Sequence, residues 1–286
     1  MRVFARIIDN GSDEARHNTR SVEKLESQVE RYLISQLTPK GRRRIEETVA
    51  REFPVTLVLN NQELVTLLCS PKNLDDLAVG YLFSEGLLKS KDEIKKLMVD
   101  DQRGVVRLNT VVAQEIAQDA LFKRVIASGG GIGFSSYGAA VAASQKVKSE
   151  TKISTDEVCA LVNEFQYCSG VYLATHGVHS AALAKGKRIL VFSEDIGRHN
   201  AIDKTFGRCL LGSIPTNDKV LMTSGRVSSE MLLKVAKRGT PIIVSISVPT
   251  NLGVKLAADL GVTLIGSLKG GRRMNVYAND WRVVNG

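Results

Sequence analysis

Aromatic residues are few in this 286-residue chain, at 5% Phe, Trp and Tyr with a single Trp. No basic cluster is interleaved with aromatics, so the stacking surface of a nucleic-acid binder is missing and no nucleic-acid partner is expected. Cysteine is also scarce. Cys69, Cys159, Cys168 and Cys209 form no CxxC pair, which excludes a zinc knuckle and a thioredoxin-like redox pair. Scattered thiols in a chain of this size read as reduced cytosolic side chains, buried as small hydrophobes. No run approaches the roughly 18 apolar residues that span a bilayer, so no membrane association is expected. The first eighteen residues lack both a long apolar run and a small-residue cleavage site, so no secretory signal is expected. Internal repeats and low-complexity segments are absent as well.

The chain does have an ordinary globular composition, 43% hydrophobic and 24% charged. Its length suits one large domain or two, with a core that needs no disulfide or metal staple. Charge is unevenly placed. The formal net charge of +9 divides into +2 over residues 1–50, zero over 51–150 and +7 over 151–286. The C-terminal half is therefore the anion-seeking part, suited to nucleotides, phosphate-bearing cofactors or acidic proteins.

Three regions follow. Residues 1–45 form a polar extension. Val22, Leu25, Val29, Tyr32, Leu33 and Leu37 fall near helical spacing and predict an amphipathic helix over 20–37, packed on its own domain or serving as a partner-binding arm. Arg42-Arg43-Arg44 reads as a solvated linker. Residues 46–120 predict a small α+β domain. Val55–Leu59 and Glu63–Cys69 are β-rich runs around an Asn60-Asn61-Gln62 turn. Asn73 is placed to cap a helix that Gly86 ends, and a second helix over 91–98 precedes a strand near 104–109. Residues 121–286 alternate strand and helix: strand 122–127, helix 155–167, strands 171–174 and 188–193, then strand 219–223, helix 228–238, strand 241–246, helix 250–260 and strand 262–266. That pattern predicts a mostly parallel sheet covered by helices on both faces. In such sheets ligands bind beyond the carboxyl ends of the strands.

Four loops carry candidate chemistry. Ser128-Gly129-Gly130-Gly131-Ile132-Gly133 lets backbone amides approach a ligand, although it matches neither the Walker nor the GxGxxG spacing; a flexible turn is the alternative. Glu194-Asp195-Ile196-Gly197-Arg198-His199-Asn200 lies at a strand-to-helix junction, where helix amides and Arg198 favour an anion; a capping and salt-bridge cluster is the alternative. Thr223-Ser224-Gly225-Arg226 repeats that logic. Lys269-Gly270-Gly271-Arg272-Arg273 adds three cations after the last strand, with a solvated basic turn as the alternative. His176-Gly177-Val178-His179, with His199, could suggest a metal, but no Cys or carboxylate stands at zinc spacing, and a polar pocket lining is the preferred reading. A Ser-His-Asp hydrolase is poorly supported, for there is no GxSxG elbow and Ser224 has no marked base.

Several strings together resemble one family. They are Glu52-x-Pro54-Val55-x-Leu57, Asn60-Asn61, Ser70-Pro71, the LAVGYLFSEG stretch from Leu77 to Gly86, the EDIGRHNAIDK stretch from Glu194 to Lys204, Ser224-Gly225-Arg226, Pro249-Thr250 and Asn275-Val276-Tyr277. In order, over about residues 50–278, these look like FdhD, the formate dehydrogenase accessory family. The resemblance implies a C-terminal domain similar in fold to cytidine deaminases but without their zinc, and the lack of an HxE with a PCxxC agrees with that. It implies a cytoplasmic sulfur carrier that forms a homodimer in the family's manner. A cysteine desulfurase would load a persulfide on a cysteine, and the sulfur would pass to the molybdenum bis(molybdopterin guanine dinucleotide) cofactor destined for the formate dehydrogenase catalytic subunit. The candidate cofactor-binding residues are Ser128, Gly129, Gly130 and Gly131; His179; Asp195, Arg198 and His199; Ser224, Gly225 and Arg226; and Ser267, Leu268, Lys269, Gly270, Gly271 and Arg272.

The sequence departs from the family at three places. Where the family loop carries Cys, this chain has Ser128-Gly129-Gly130-Gly131, and Gly supplies no thiolate. Cys168, followed by Ser169-Gly170, is the least implausible substitute. His176 stands where the family usually has Gly before a His, and the Lys269–Arg272 stretch replaces a Phe-x-Arg-Gly pattern. Two functions are therefore expected: a sulfurtransferase whose sulfur step is lost or moved to another thiol, or a non-catalytic protein that binds the cofactor and hands it on.

Overall fold

A computed structural model describes residues 25–112, 124–126, 145–269 and 273–286, with 124–126 and 269 described by backbone alone. The chain is mixed α/β. It enters through a hairpin of β1 (Val29–Thr38) and β2 (Gly41–Ala50), paired antiparallel so that Ile34 faces Ile45. The described part of the helix expected over 20–37 is thus a strand over most of its length. The apolar positions fit a 3.6 period locally. Pro39 and Gly41 nevertheless turn the chain back, and the pairing with residues 41–50 overrides that period. Arg42, Arg43 and Arg44 lie exposed in β2 rather than in a linker.

The next sheet has the order β5-β6-β3-β4-β7. Its strands are β3 (Phe53–Leu59), β4 (Gln62–Cys69), β5 (Ile94–Asp100), β6 (Val105–Thr110) and β7 (Arg124–Ile126). Asn60 and Asn61 both take positive φ, 48° and 67°, as a two-residue hairpin turn demands. The helix expected over 91–98 is a single 3-10 turn, Lys91–Glu93, followed by β5. Pairing of Leu97 with Leu108 and Val99 with Val106 makes that segment a strand.

Helix α1 (Leu74–Glu85) lies across this sheet. Asn73 precedes it in the left-handed conformation, without the side-chain cap expected of it; Gly86 closes it, also left-handed at φ 82°. Leu74, Leu77, Ala78, Val79, Tyr81 and Leu82 are all buried, so α1 is apolar on nearly every side. The second covering layer is a helix of the C-terminal sheet, α4 below.

That sheet has six strands in the order β10-β9-β11-β12-β13-β14. The elements after β7 are β8 (Ile153–Ser154), α2 (Thr155–Phe165), α3 (Gly170–Thr175), β9 (His179–Lys185), β10 (Arg188–Asp195), α4 (Arg198–Leu211), β11 (Val220–Thr223), α5 (Ser229–Lys237), β12 (Ile242–Ser245), α6 (Asn251–Leu260), β13 (Thr263–Lys269), β14 (Arg273–Ala278) and β15 (Val283–Val284). Helices α4, α5 and α6 cover one face through Phe206, Leu232 and Leu256, and α2 covers the other through Val158, Leu161 and Phe165. Only the β11-β12 and β12-β13 pairings are parallel; β10-β9, β9-β11 and β13-β14 are antiparallel. The sheet is therefore mixed rather than mostly parallel.

The difference comes from two misread segments. The strand expected over 171–174 is helix α3, because Ser169 caps it by accepting the Tyr172 amide at 2.9 Å and His176 closes it left-handed. The strand after it, β9, was hidden by its composition. Its centre, Ala181-Ala182-Leu183-Ala184, is fully buried but carries little β propensity.

Two glycines set the approach of the two halves. A Cβ on Gly80 of α1 would lie 1.8 Å from the Asp203 carbonyl oxygen of α4, and one on Gly207 of α4 would lie 1.9 Å from the Asp76 carbonyl oxygen of α1. Helix propensity favours Ala over Gly by roughly 0.5–1 kcal/mol, but such an overlap forces the backbones apart at a typical cost of about 1–3 kcal/mol or more. Gly80→Ala and Gly207→Ala are expected to lower the urea midpoint measurably. Gly170→Ala, whose Cβ would meet nothing within 4 Å, should leave it nearly unchanged.

Candidate functional site

The sheet topology brings the site together. Because β9 runs antiparallel to β10 and β11, its first residue sits beside their last: His179 pairs with Asp195, and Ala181 with Thr223. The turns after β10, β11, β12 and β13 and the start of β9 therefore share one sheet edge.

Asp195 forms the base of that edge. It is completely buried, and so is Lys204, whose Nζ lies 2.6 Å from Asp195 Oδ2. The same oxygen accepts the Ser70 amide at 3.0 Å. Oδ1 accepts the Gly197 amide and Asn200 Nδ2, both at 2.9 Å. Lys204 also donates to the Ser70 carbonyl at 3.0 Å, the Ile196 amide donates to Ser70 Oγ at 3.1 Å, and Asn200 Nδ2 reaches the Leu68 carbonyl at 2.9 Å. A buried carboxylate and ammonium are tolerated when each is paired and hydrogen-bonded, and here both are. Asp195, expected among ligand contacts, instead fixes the turn between β10 and α4 and ties it to Ser70. Asp203, the residue before Lys204, receives Ser84 Oγ at 2.6 Å and pairs with Lys234. The capping and salt-bridge alternative thus describes the acidic and lysine positions of this string.

Arg198 and His199 of the same string stand at the start of α4. Arg198 opens α4 and lies against Gly225, where a Cβ would come within 2.7 Å of Arg198 Cβ. Arg226 is exposed on the neighbouring turn. Burial, and the charge of Arg226, hold the Arg198 guanidinium below its ordinary pKa. His199 is buried, with Nε2 3.8 Å from Glu230 Oε2 and no hydrogen-bond partner among the described residues. Desolvation first, then Lys234, Arg198, Arg226 and His179, push its pKa down to about 3, so it is neutral at physiological pH. His179 Nδ1 lies 3.2 Å from Ser224 Oγ, which also receives the Ser180 amide at 2.9 Å. Burial and the two arginines lower the His179 pKa as well.

A cleft of about 590 Å³ adjoins these groups, lined by Phe165, Tyr172, Leu173, His179, Ser224 and Ile246 among others. Its aromatic wall escaped the sequence reading because it depends on α3 and β9. The other proposed loops divide. Ser128, Gly129, Gly130, Gly131, Gly270, Gly271 and Arg272 lie outside the described residues. Lys269 pairs with Arg273 at the end of the β13-β14 hairpin. Ser267, at φ 57°, bonds its amide to the Ser247 carbonyl and its hydroxyl to Tyr277 Oη at 2.7 Å. Leu268, expected at the ligand, is instead 8% exposed and belongs to the core under α2. His176 packs edge-on against Tyr172, while His179 turns toward Ser224. No cluster of three His, Cys, Asp or Glu suited to a metal occurs among the described residues.

All four thiols are described. Cys69 and Cys209 are buried, and burial raises both pKa values to about 12. Cys159 and Cys168 are half-buried. Cys168 donates to the Glu164 carbonyl at 3.4 Å, borders a cavity of about 860 Å³ beside Lys72 and the β1-β2 hairpin, and is raised in pKa by burial and by Glu164.

These features describe a mixed α/β protein whose two sheets are joined by one buried network beneath a cation-rimmed cleft. Residues 50–284 match the model of the FdhD/NarQ family, and the chain belongs to that family. It is 40% identical to the sulfur carrier protein FdhD of Bacillus subtilis over 241 residues, 84% of this chain and 92% of that protein. It is 39% identical over 237 residues to the protein of the same name from Staphylococcus aureus strain MRSA252, covering 82% and 88% of the two chains. A crystal structure from Desulfotalea psychrophila, described as that of a formate dehydrogenase accessory protein, superposes with a TM-score of 0.75 at 28% identity, over 90% of this chain and all of the other.

Removing one member of the buried pair leaves the other charged and uncompensated, so the two single changes should together cost more than the double change. Lys204→Met is expected to destabilise by roughly 3–5 kcal/mol, because Asp195 is left charged and buried. Asp195→Asn with Lys204→Met should lose less than the sum of the two single changes, measured by urea unfolding in a double-mutant cycle.

Proposed function

We propose that this protein is a formate dehydrogenase accessory protein that binds the molybdenum bis(molybdopterin guanine dinucleotide) cofactor as cargo and serves as its sulfur carrier. The observation that carries the binding reading is the pairing of Arg198 and Arg226 at helix entrances beside an apolar cleft. Helix α4 opens at Arg198, and a helix start beside an arginine suits phosphate. Gly225 supports this, since any side chain there would push Arg198 aside. The buried, unbonded Nε2 of His199 also suits a ligand that supplies a partner. In this reading Arg198, Arg226, His199 and Ser224 hold the phosphates, His179 lines the cleft, Gly225 gives the clearance, and Asp195 holds them in place from beneath. The cytidine-deaminase-like layering of the C-terminal region, the division at residues 1–45, 46–120 and 121–286, a cytoplasmic location and a homodimer belong to the same proposal. No helix among the described residues is long and apolar enough to cross a membrane.

The partners are a cysteine desulfurase and the formate dehydrogenase catalytic subunit. For sulfur transfer, a thiolate of this chain attacks the outer sulfur of the desulfurase persulfide. The new S–S bond forms as the old one breaks, and the desulfurase thiolate leaves. Cys69 and Cys209 are unsuited, being buried and held protonated. Cys168 is the accessible thiol beside a cavity. The raised pKa of Cys168 favours the second reading, a cofactor-binding chaperone without sulfur transfer.

Two measurements separate these readings. Arg198→Ala and Arg226→Ala are each expected to weaken GDP binding roughly tenfold in calorimetry, the cost of losing a charged hydrogen bond. Unchanged affinity in both would remove the site. Mass spectrometry after incubation with a cysteine desulfurase and cysteine should show one added sulfur on Cys168, lost in Cys168→Ser; sulfur on none of the four thiols leaves the chaperone.

A further inference from the structure

The hairpin of β1 and β2 is a sheet of its own, and among the described residues no third strand joins either edge. Its base is anchored. Gln28 is buried, donates to Glu194 Oε1 at 3.3 Å and accepts the Arg51 amide at 2.8 Å. Beyond that base most of both strands is exposed, including Tyr32 at 51%, Leu33 at 67% and Leu37 at 68%. A ribbon of two strands is marginal in water by itself, and a long unpaired edge is a template for another strand. Strand β2 runs ten residues with no proline, and its pairing to β1 has no bulge, so its outer edge is straight enough to pair again. A strand of one charge would repel its own copy. The β2 sequence instead reads Arg42-Arg43-Arg44-Ile45-Glu46-Glu47, with cations on one side of Ile45 and carboxylates on the other.

We propose that the outer edge of β2 docks a second copy of this chain, the two hairpins joining as one four-stranded antiparallel sheet about a two-fold axis at Ile45. The inference rests on the homodimer proposed above and gives it an interface. In that register Ile45 stands opposite its own copy, Arg44 opposite Glu46 and Arg43 opposite Glu47, each pair occurring twice. Directly opposite residues share a face, so Arg44 meets Glu46 on one face and Arg43 meets Glu47 on the other. The register is selected by charge. Moving the axis one residue along puts Glu46 opposite Glu46, or Arg44 opposite Arg44, and like charges directly opposite are destabilising. An acidic or a basic partner would likewise meet its own sign along half of the strand, so the mixed pattern favours a second copy. Strand β1 offers no such symmetry, since its charges, Glu30 and Arg31, lie together at its base. The bonds these groups make within one hairpin do not compete strongly. Glu46 lies 3.7 Å from Arg31 in an exposed pair of little worth, and Arg43 donates to Gln36 Oε1 through Nε, away from the ends of its guanidinium.

The test is sedimentation of the full chain and two charge-reversed variants. One carries Glu46→Arg with Glu47→Arg, the other Arg43→Glu with Arg44→Glu. Each alone is expected to raise the dimer dissociation constant about tenfold or more, because every opposite pair becomes a like pair. Mixed in equal amounts, the two should dimerise as the unsubstituted chain does, because each cation again faces a carboxylate. Ile45→Cys should cross-link to its own copy on mild oxidation, beyond the background of the unsubstituted chain, since opposite Cα atoms in such a ladder lie roughly 4.5–5.5 Å apart, within disulfide reach. Arg42→Cys, facing Thr48 rather than itself, should not. A dimer untouched by either charge reversal would overturn this interface and leave the homodimer standing. Variants that stay monomeric when mixed would overturn the charge pairing, and with it the proposed register. An unsubstituted chain that is monomeric at every concentration would overturn the homodimer and this inference together.

Discussion

Everything at the strand ends depends on one buried ion pair. Asp195 and Lys204 lie on either side of the turn into α4, fully removed from water and 2.6 Å apart. An unmatched charge there would be untenable; the Asp195 oxygens accept from Ser70, Gly197 and Asn200, and Lys204 also donates to the Ser70 carbonyl. Ser70 directly follows β4 of the five-stranded sheet, and the other residues belong to the end of β10, the turn after it and α4. The pair therefore does two things at once. It ends β10 at a defined place, and it fixes the approach of one sheet to the other.

The cleft inherits its geometry from that constraint. Once the turn after β10 is set, Arg198 must leave it in one direction, over Gly225. Antiparallel β9 then delivers His179 to the same edge, beside the hydroxyl of Ser224. Arg198 and Arg226 gather there; Glu230 stands 3.8 Å from His199, and Asp195 and Asp203 are paired with lysines. Burial first, and the nearby cations second, lower the pKa of both imidazoles, which are neutral at physiological pH.

The thiols occupy a different part of the molecule's logic. Two are packing residues whose ionisation burial opposes, and the half-buried Cys168 borders a separate cavity near Lys72. The cavity at Cys168 and the cleft at the strand ends share no lining residue. No cysteine is among the described residues that line the cleft.

Local chemistry made much of the fold legible. The Asn60-Asn61 turn, the Gly86 helix end and the alternation from Val220 to Thr263 follow from glycine, asparagine and apolar periodicity, and they stand where the sequence puts them. The concentration of positive charge in the C-terminal half and the arginine turns after strands were also visible. Segments decided by distant partners were not. Residues 29–38 carry a helical period but pair with 41–50; residues 94–100 pair with β6; and alanine-rich β9 is a strand because two neighbours hydrogen-bond to it. The same holds for roles within one string. Spacing alone cannot say that Asp195 turns inward to Lys204 while Arg198 turns outward, because that depends on Ser70, 125 residues away from Asp195. By itself the sequence determined the elements, the charge and the family's residues. Tertiary structure decided which of those residues support the site and which face the ligand, since burial and pairing are set by contacts between segments remote in the chain.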